Sequence, residues 1–132
     1  MNEGVRQRIR RRANNQCEYC RVQERHLPFA SFHLDHIIAS QHGGGDDEGN
    51  LAWSCHECNL HKGTNLTSID PDTGKIVLLF HPQRDKWTVH FEWDGNFIRG
   101  KTENGRATVW LLQMNSSERV ELRMTLRETG DA

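Results

Sequence analysis

The chain has 132 residues, of which 35% are hydrophobic and 27% charged, and its formal net charge is −1. That length leaves no room for two full-sized cores, and the thin apolar content calls for a staple of some kind. No apolar run approaches the roughly 18 residues of a membrane span, and the Arg-rich start lacks the apolar stretch of a signal peptide, so the expectation is a soluble, cytoplasmic protein without membrane contact. A balance this near zero argues against a protein that grips nucleic acid through bulk positive charge.

The charge is unevenly spread, however. Residues 1–25 hold seven Arg against three Glu, and Val5, Ile9 and Ala13 recur among them at helical spacing. Residues 1–16 therefore read as a basic helix or arm, with Arg8, Arg11 and Arg12 as candidate phosphate contacts. The plainer alternative is a solvated helix face. Over 17–68 the composition shifts to Cys, His, Gly and Asp. Here Phe32 to Ile38 reads as a strand, Gly43 to Asp47 as a flexible loop and Asn50 to Ser54 as a second strand, giving a hairpin with a long tip. A short helix is expected after Cys58, ending near Gly63.

In the third section, 69–132, Asp70 to Gly74 carries turn chemistry, Lys75 to Phe80 and Trp87 to Trp93 are strand-like, and Asp94-Gly95 turns into Phe97-Ile98-Arg99. The pattern predicts a small antiparallel β-meander, with Trp87, Phe91 and Trp93 as a core stripe beneath it. A helical stripe runs from Arg106 through Ala107 and Trp110 to Met114. Beyond Ser116 and Ser117, which suit capping, the residues alternate like a strand but are good helix formers, and a helix is expected.

The four cysteines fall in two pairs, Cys17-x-x-Cys20 and Cys55-x-x-Cys58. Each pair makes a tight turn that aims two thiolates at one point, and two such turns supply the four sulfur ligands of a closed, structural Zn²⁺ site. With no open position for water, such a zinc stabilises without catalysing. The insert between the pairs is 34 residues, against about 15–20 in an ordinary zinc ribbon. Six of the eight histidines lie between positions 26 and 61. That density beside a staple points to chemistry.

In order along the chain, Cys17-Glu-Tyr-Cys20, Phe32-His33-Leu34-Asp35-His36-Ile37-Ile38, Gly43-Gly44, Asn50-Leu51 and Cys55-His-Glu-Cys58-Asn59-x-x-Lys62 resemble the signature of the HNH endonucleases. The resemblance implies a ββα-metal core over 17–68. With the zinc staple, the meander and the C-terminal helices, the whole chain then falls in the α+β class. The same resemblance makes Asn59 the second oxygen ligand of a catalytic metal and Asn50 the brace of the loop that orients His36. Many members of that family have His where this chain has Asn59, and an amide oxygen suits Mg²⁺ better than a softer ion.

The chemistry of phosphodiester hydrolysis supports the resemblance. It needs an activated water, a cation against the phosphate and leaving oxygen, and groups that hold the backbone. His36 is the candidate general base, since imidazole is the side chain type suited to proton transfer at neutral pH. Asp35 offers a hard oxygen to Mg²⁺ or another divalent cation. Lys62, one turn after Asn59, would touch a phosphate. His33, two residues before Asp35 on the same strand face, is a third metal ligand, a phosphate contact or a structural histidine. Asp35 and His36 would point to opposite faces of a regular strand, so either the strand is irregular or the two flank the phosphate. His56 and His61 read as solvent or phosphate neighbours. The expected activity is metal-dependent cleavage of DNA, with RNA as the alternative substrate. The rival is a non-catalytic, zinc-stapled DNA-binding adaptor.

Overall fold

A computed structural model describes residues 2–131. Helix α1 (Glu3–Arg12) begins where the Asn2 side chain accepts a 2.9 Å hydrogen bond from the Val5 N–H, satisfying one of the free amides of the first turn. Its apolar seam buries Ile9 and Ala13. Most of the arginines of this helix are engaged elsewhere in the fold. Arg6 lies over the Trp53 ring and donates to the Phe32 carbonyl, and Arg10 pairs with Glu24 at 2.9 Å. Arg12 donates to the Glu18 carboxylate and to the Glu48 and Leu51 carbonyls. The basic arm is thus a clamp across the next hairpin, because a guanidinium fork satisfies several acceptors at once.

That hairpin pairs β1 (His33–His36) with β2 (Leu51–Ser54) in antiparallel register, His33 opposite Ser54 and His36 opposite Leu51. All of β2 is buried. Helix α2 (His56–Lys62) follows at once, with the Cys55 sulfur at its N-cap and Gly63 at its end, completing a ββα unit. The helix starts before Cys58 rather than after it, since the second cysteine knuckle is itself the first helical turn.

Beyond residue 66 the expected single meander is two separate hairpins, β3 (Thr67–Ile69) with β4 (Ile76–Leu78), and β5 (Phe91–Asp94) with β6 (Phe97–Gly100). The segment before β5 is a helical turn, α3 (Trp87–His90), not a strand. The period of two from Trp87 to Trp93 suggested one apolar face. The residues that bury are Trp87 and Phe91, four apart, while Val89 and Trp93 are about half exposed, so the burial spacing is helical. The Trp87 indole N–H reaches inward to the Tyr19 carbonyl at 2.8 Å, and Trp93 stays outside as a tilted neighbour of Trp87.

Helix α4 (Glu103–Leu111) packs on β6, and a Cβ at Gly105 would sit 2.1 Å from the His90 carbonyl oxygen, so only glycine permits the approach. The C-terminal segment is the expected helix, α5 (Ser117–Glu128), although Ser116 makes no capping bond. None of its residues is buried. It is held by hydrogen bonds from Arg119 to the Leu112 carbonyl and from Arg123 to the Met114 carbonyl. One apolar cluster joins Ile9 and Ala13, Leu51 and Trp53, and Phe80, Trp87, Phe91, Ile98, Leu112 and Met114, so all three sections share a core. Among the described residues no helix is long and apolar enough to cross a membrane.

Candidate metal centre and active site

The two cysteine knuckles converge. The sulfurs of Cys17, Cys20, Cys55 and Cys58 all lie within 4.8 Å of one another, and all four residues are buried. Cys20 and Cys55 sulfurs are 3.8 Å apart and unbonded. A tetrahedral ion with metal–sulfur bonds of about 2.3 Å sets its sulfurs about 3.8 Å apart, so the set fits Zn²⁺. In each knuckle the amide of the second cysteine donates to the sulfur of the first, at 3.4 Å. Arg119, from distant α5, donates to the Cys58 sulfur at 3.0 Å and lies 3.7 Å from that of Cys55. Burial disfavours its charge, but the thiolates of Cys20, Cys58 and Cys55 outweigh that and raise its pKa. Nothing in the sequence marks Arg119, because the link spans more than sixty residues and depends on where α5 docks.

At the end of β1, the His36 Nε2 lies 2.7 Å from the Asp46 carboxylate. Asp46 stands in the glycine-rich loop that the sequence presents only as flexible. Asn50 holds that loop. Its amide oxygen accepts from the Ile38 N–H at 2.9 Å, and its NH₂ donates to the Ile38 and Gly45 carbonyls. The loop passes so close that a Cβ on Gly44 would fall 1.7 Å from the Ile38 carbonyl oxygen. Glycine is needed there for space rather than for a left-handed backbone.

Strand β1 is regular, so Asp35 points away from His36 into the interior. Its carboxylate accepts the Tyr19 hydroxyl at 2.6 Å, with the Lys62 ammonium 3.3 and 3.4 Å from its two oxygens. Burial pushes the Asp35 carboxyl above its usual range, and Lys62 and Tyr19 offset this only in part. Burial and the Asp35 charge push the Tyr19 hydroxyl well up, which keeps it a donor. The sequence places Lys62 at a phosphate. The structure buries it at 2% exposure, donating to Asp35 and the His36 carbonyl. A carboxylate has about four acceptor positions, and Asp35 fills few of them well. That spare capacity fits a hard divalent cation. Asn59, half-buried on α2 one turn before Lys62, is the other oxygen donor of the expected set.

His33 does not join Asp35. Its Nε2 lies 3.3 Å from the Nδ1 of His56, at the start of α2. Burial, His56 and the Arg6 guanidinium all disfavour its charged form. Of the expected phosphate contacts on α1, Arg8 pairs with Glu48 and Arg12 is spent on the hairpin, while Arg11 is exposed and reaches only the Gln7 carbonyl of its own helix. Tyr19, Asp46 and Arg119 are the site residues that sequence reasoning misses. Tyr19 and Asp46 lie inside the motif segments themselves, within the first knuckle and the glycine loop.

No curated protein and no solved structure matches the chain. Residues 17–65 match the family described as HNH endonuclease. That segment holds both knuckles, the β1–β2 hairpin and α2, so this part of the chain is similar to the HNH endonucleases and brings four cysteines together where they could hold a metal ion.

Proposed function

We propose that the protein is a metal-dependent endonuclease that hydrolyses phosphodiester bonds in DNA. The observation that carries this reading lies at two successive residues of one strand. A half-exposed imidazole, His36, is held by a carboxylate, and beside it a buried carboxylate, Asp35, keeps unused acceptor capacity. Asp46 accepts from His36 Nε2, which leaves Nδ1 with the lone pair and assigns it to take the proton from water. Asn50 fixes the loop that carries Asp46 and so sets the ring's direction. Asp35 and Asn59 would hold the divalent ion, Mg²⁺ by the hardness of the donors. When bound, that ion supplies positive charge against the phosphate and the leaving oxygen. Cys17, Cys20, Cys55 and Cys58 hold structural Zn²⁺.

The test is plasmid cleavage by purified protein with Mg²⁺, beside His36→Ala, with RNA of matched length in a parallel reaction. Loss of cleavage in the variant is expected. Equal nicking by both proteins would overturn the assignment. One observation favours a second reading, a zinc-stapled module that retains DNA without cutting it. Lys62 already neutralises Asp35, which would leave the expected metal ligand occupied. That reading expects DNA retention and no cleavage with any divalent metal.

A further inference from the structure

The His33–His56 contact is the unassigned feature of the HNH segment. It joins the first residue of β1 to the first residue of α2, and the two elements are held in place independently, by the hairpin register and by the Cys55 cap. The rings are not stacked, since their planes meet at 43° with centroids 5.5 Å apart. They meet edge to edge through nitrogen, Nε2 to Nδ1 at 3.3 Å. That is slightly beyond the roughly 2.7–3.2 Å of an N–H···O hydrogen bond and still within hydrogen-bond reach for two ring nitrogens. It equals the spacing of two ligands on one tetrahedral ion, because metal–nitrogen bonds of about 2.0–2.1 Å put the nitrogens about 3.3–3.4 Å apart. An octahedral ion with the same bonds would bring them to about 2.9 Å. His33 is half-buried and His56 exposed, so solvent can complete the coordination shell.

We propose that His33 and His56 form a second metal site, separate from the four cysteines and from Asp35. It would take a borderline divalent cation of tetrahedral preference, Zn²⁺ or Co²⁺, rather than Mg²⁺. Imidazole nitrogens select such ions over hard ones, and two protein ligands leave two positions for water. The ion would tie the start of β1 to the start of α2. It therefore bridges the strand that carries His36 and the helix that carries Asn59. Binding at this pair stands whether or not the protein cuts DNA.

The experiment uses tag-free, full-length protein already loaded with one equivalent of zinc, titrated with Co²⁺ and followed by visible absorption and calorimetry. A further equivalent, apart from any octahedral uptake at Asp35 and Asn59, is expected to bind and to give the d–d bands of tetrahedral cobalt without a sulfur-to-cobalt charge-transfer band, which would instead mark exchange into the cysteines. His33→Ala and His56→Ala should each weaken this binding by more than about tenfold, the scale at which even outer-shell partners act. His61→Ala should leave it unchanged. Because His56 is exposed, its variant reports on the site even if His33→Ala perturbs the fold. Absence of a second equivalent, or equal affinity in the His56 variant, would reduce the pair to a hydrogen bond between imidazoles and overturn the proposal. Failure of DNA cleavage would not touch it.

Discussion

Two regions of the molecule are each fastened around a buried aspartate, and they treat it in opposite ways. In the HNH segment, Asp35 meets one hydroxyl at 2.6 Å and an ammonium no nearer than 3.3 Å, and burial pushes its carboxyl up. In the β3–β4 hairpin, Asp70 receives both arms of the Arg106 fork at 2.9 Å, the Asp72 N–H at 3.0 Å and the Thr73 hydroxyl at 2.9 Å. Arg106 first, and these donors with it, hold its carboxyl far below the usual range. Both side chains are buried. The number and geometry of donors therefore decide the outcome, and depth alone does not. A fully donated carboxylate is a fastening. One left short of donors keeps the acceptor capacity that the proposed divalent ion would use. The two regions also differ in what closes them, a four-thiolate cluster in one and an ion pair to α4 in the other.

The strongest way to break this comparison is to remove the metal. Chelating zinc should cost stability on the order of 10 kcal/mol, the scale of structural zinc sites. Amide exchange should show β1, β2 and α2 losing protection before β3, β4 and α4. An unchanged melting point and far-UV spectrum in zinc-free protein would mean that the cysteines are no staple.

Next in size is Asp35→Asn. It leaves the buried Lys62 ammonium without its counter-charge, so a loss of about 3–5 kcal/mol is expected by denaturant titration. Pairing it with Lys62→Met should recover much of that loss, because both charges then leave the interior together. If the single variant is neutral, Lys62 is not neutralising Asp35.

Arg119→Ala removes a hydrogen bond to the thiolates without touching a ligand. Zinc affinity should fall by about 10–100-fold, as for other outer-shell partners. Competition with a chelator reads this, and Arg119→Lys should restore only part of it, since a lysine lacks the fork.

The smallest effects are in the pH profile, where the two aspartates act with opposite signs. Asp70 titrates lower when folded than its unfolded value of about 3.9. Its contribution is therefore complete above about pH 4 and lost as pH falls toward the depressed value. Asp35 titrates higher when folded, so its contribution is present in acid and lost as pH rises through the folded value. Urea midpoints from acid to neutral pH should show Asp70→Asn flattening the acid limb and Asp35→Asn leaving that limb in place. A wild-type acid slope in Asp70→Asn would erase the contrast.

Much of the fold is legible in the chain. The hairpin with its long tip, the turn at Asp70 to Gly74, the β5–β6 hairpin and the C-terminal helix all follow from local patterns, because turn chemistry and apolar period act over a few residues. The helical turn at Trp87 was not legible. Period two and an i, i+4 pair share the same letters there, and only the Tyr19 carbonyl, far away in sequence, selects the inward indole. The arginines of α1 show the same limit. Their number reads as a phosphate-binding arm, but their acceptors at Glu18, Glu24 and Glu48 lie on other segments.

By itself the sequence determined the four-cysteine pairing, the HNH segment and the residue types of the site, since ligand identity and spacing are covalent properties. The tertiary structure decided which of those side chains meet. It turned Lys62 inward to Asp35, brought Asp46 to His36, set His33 against His56 and laid Arg119 on the thiolates. These pairings are settled by burial and charge between distant segments, and spacing along the chain carries no information about them.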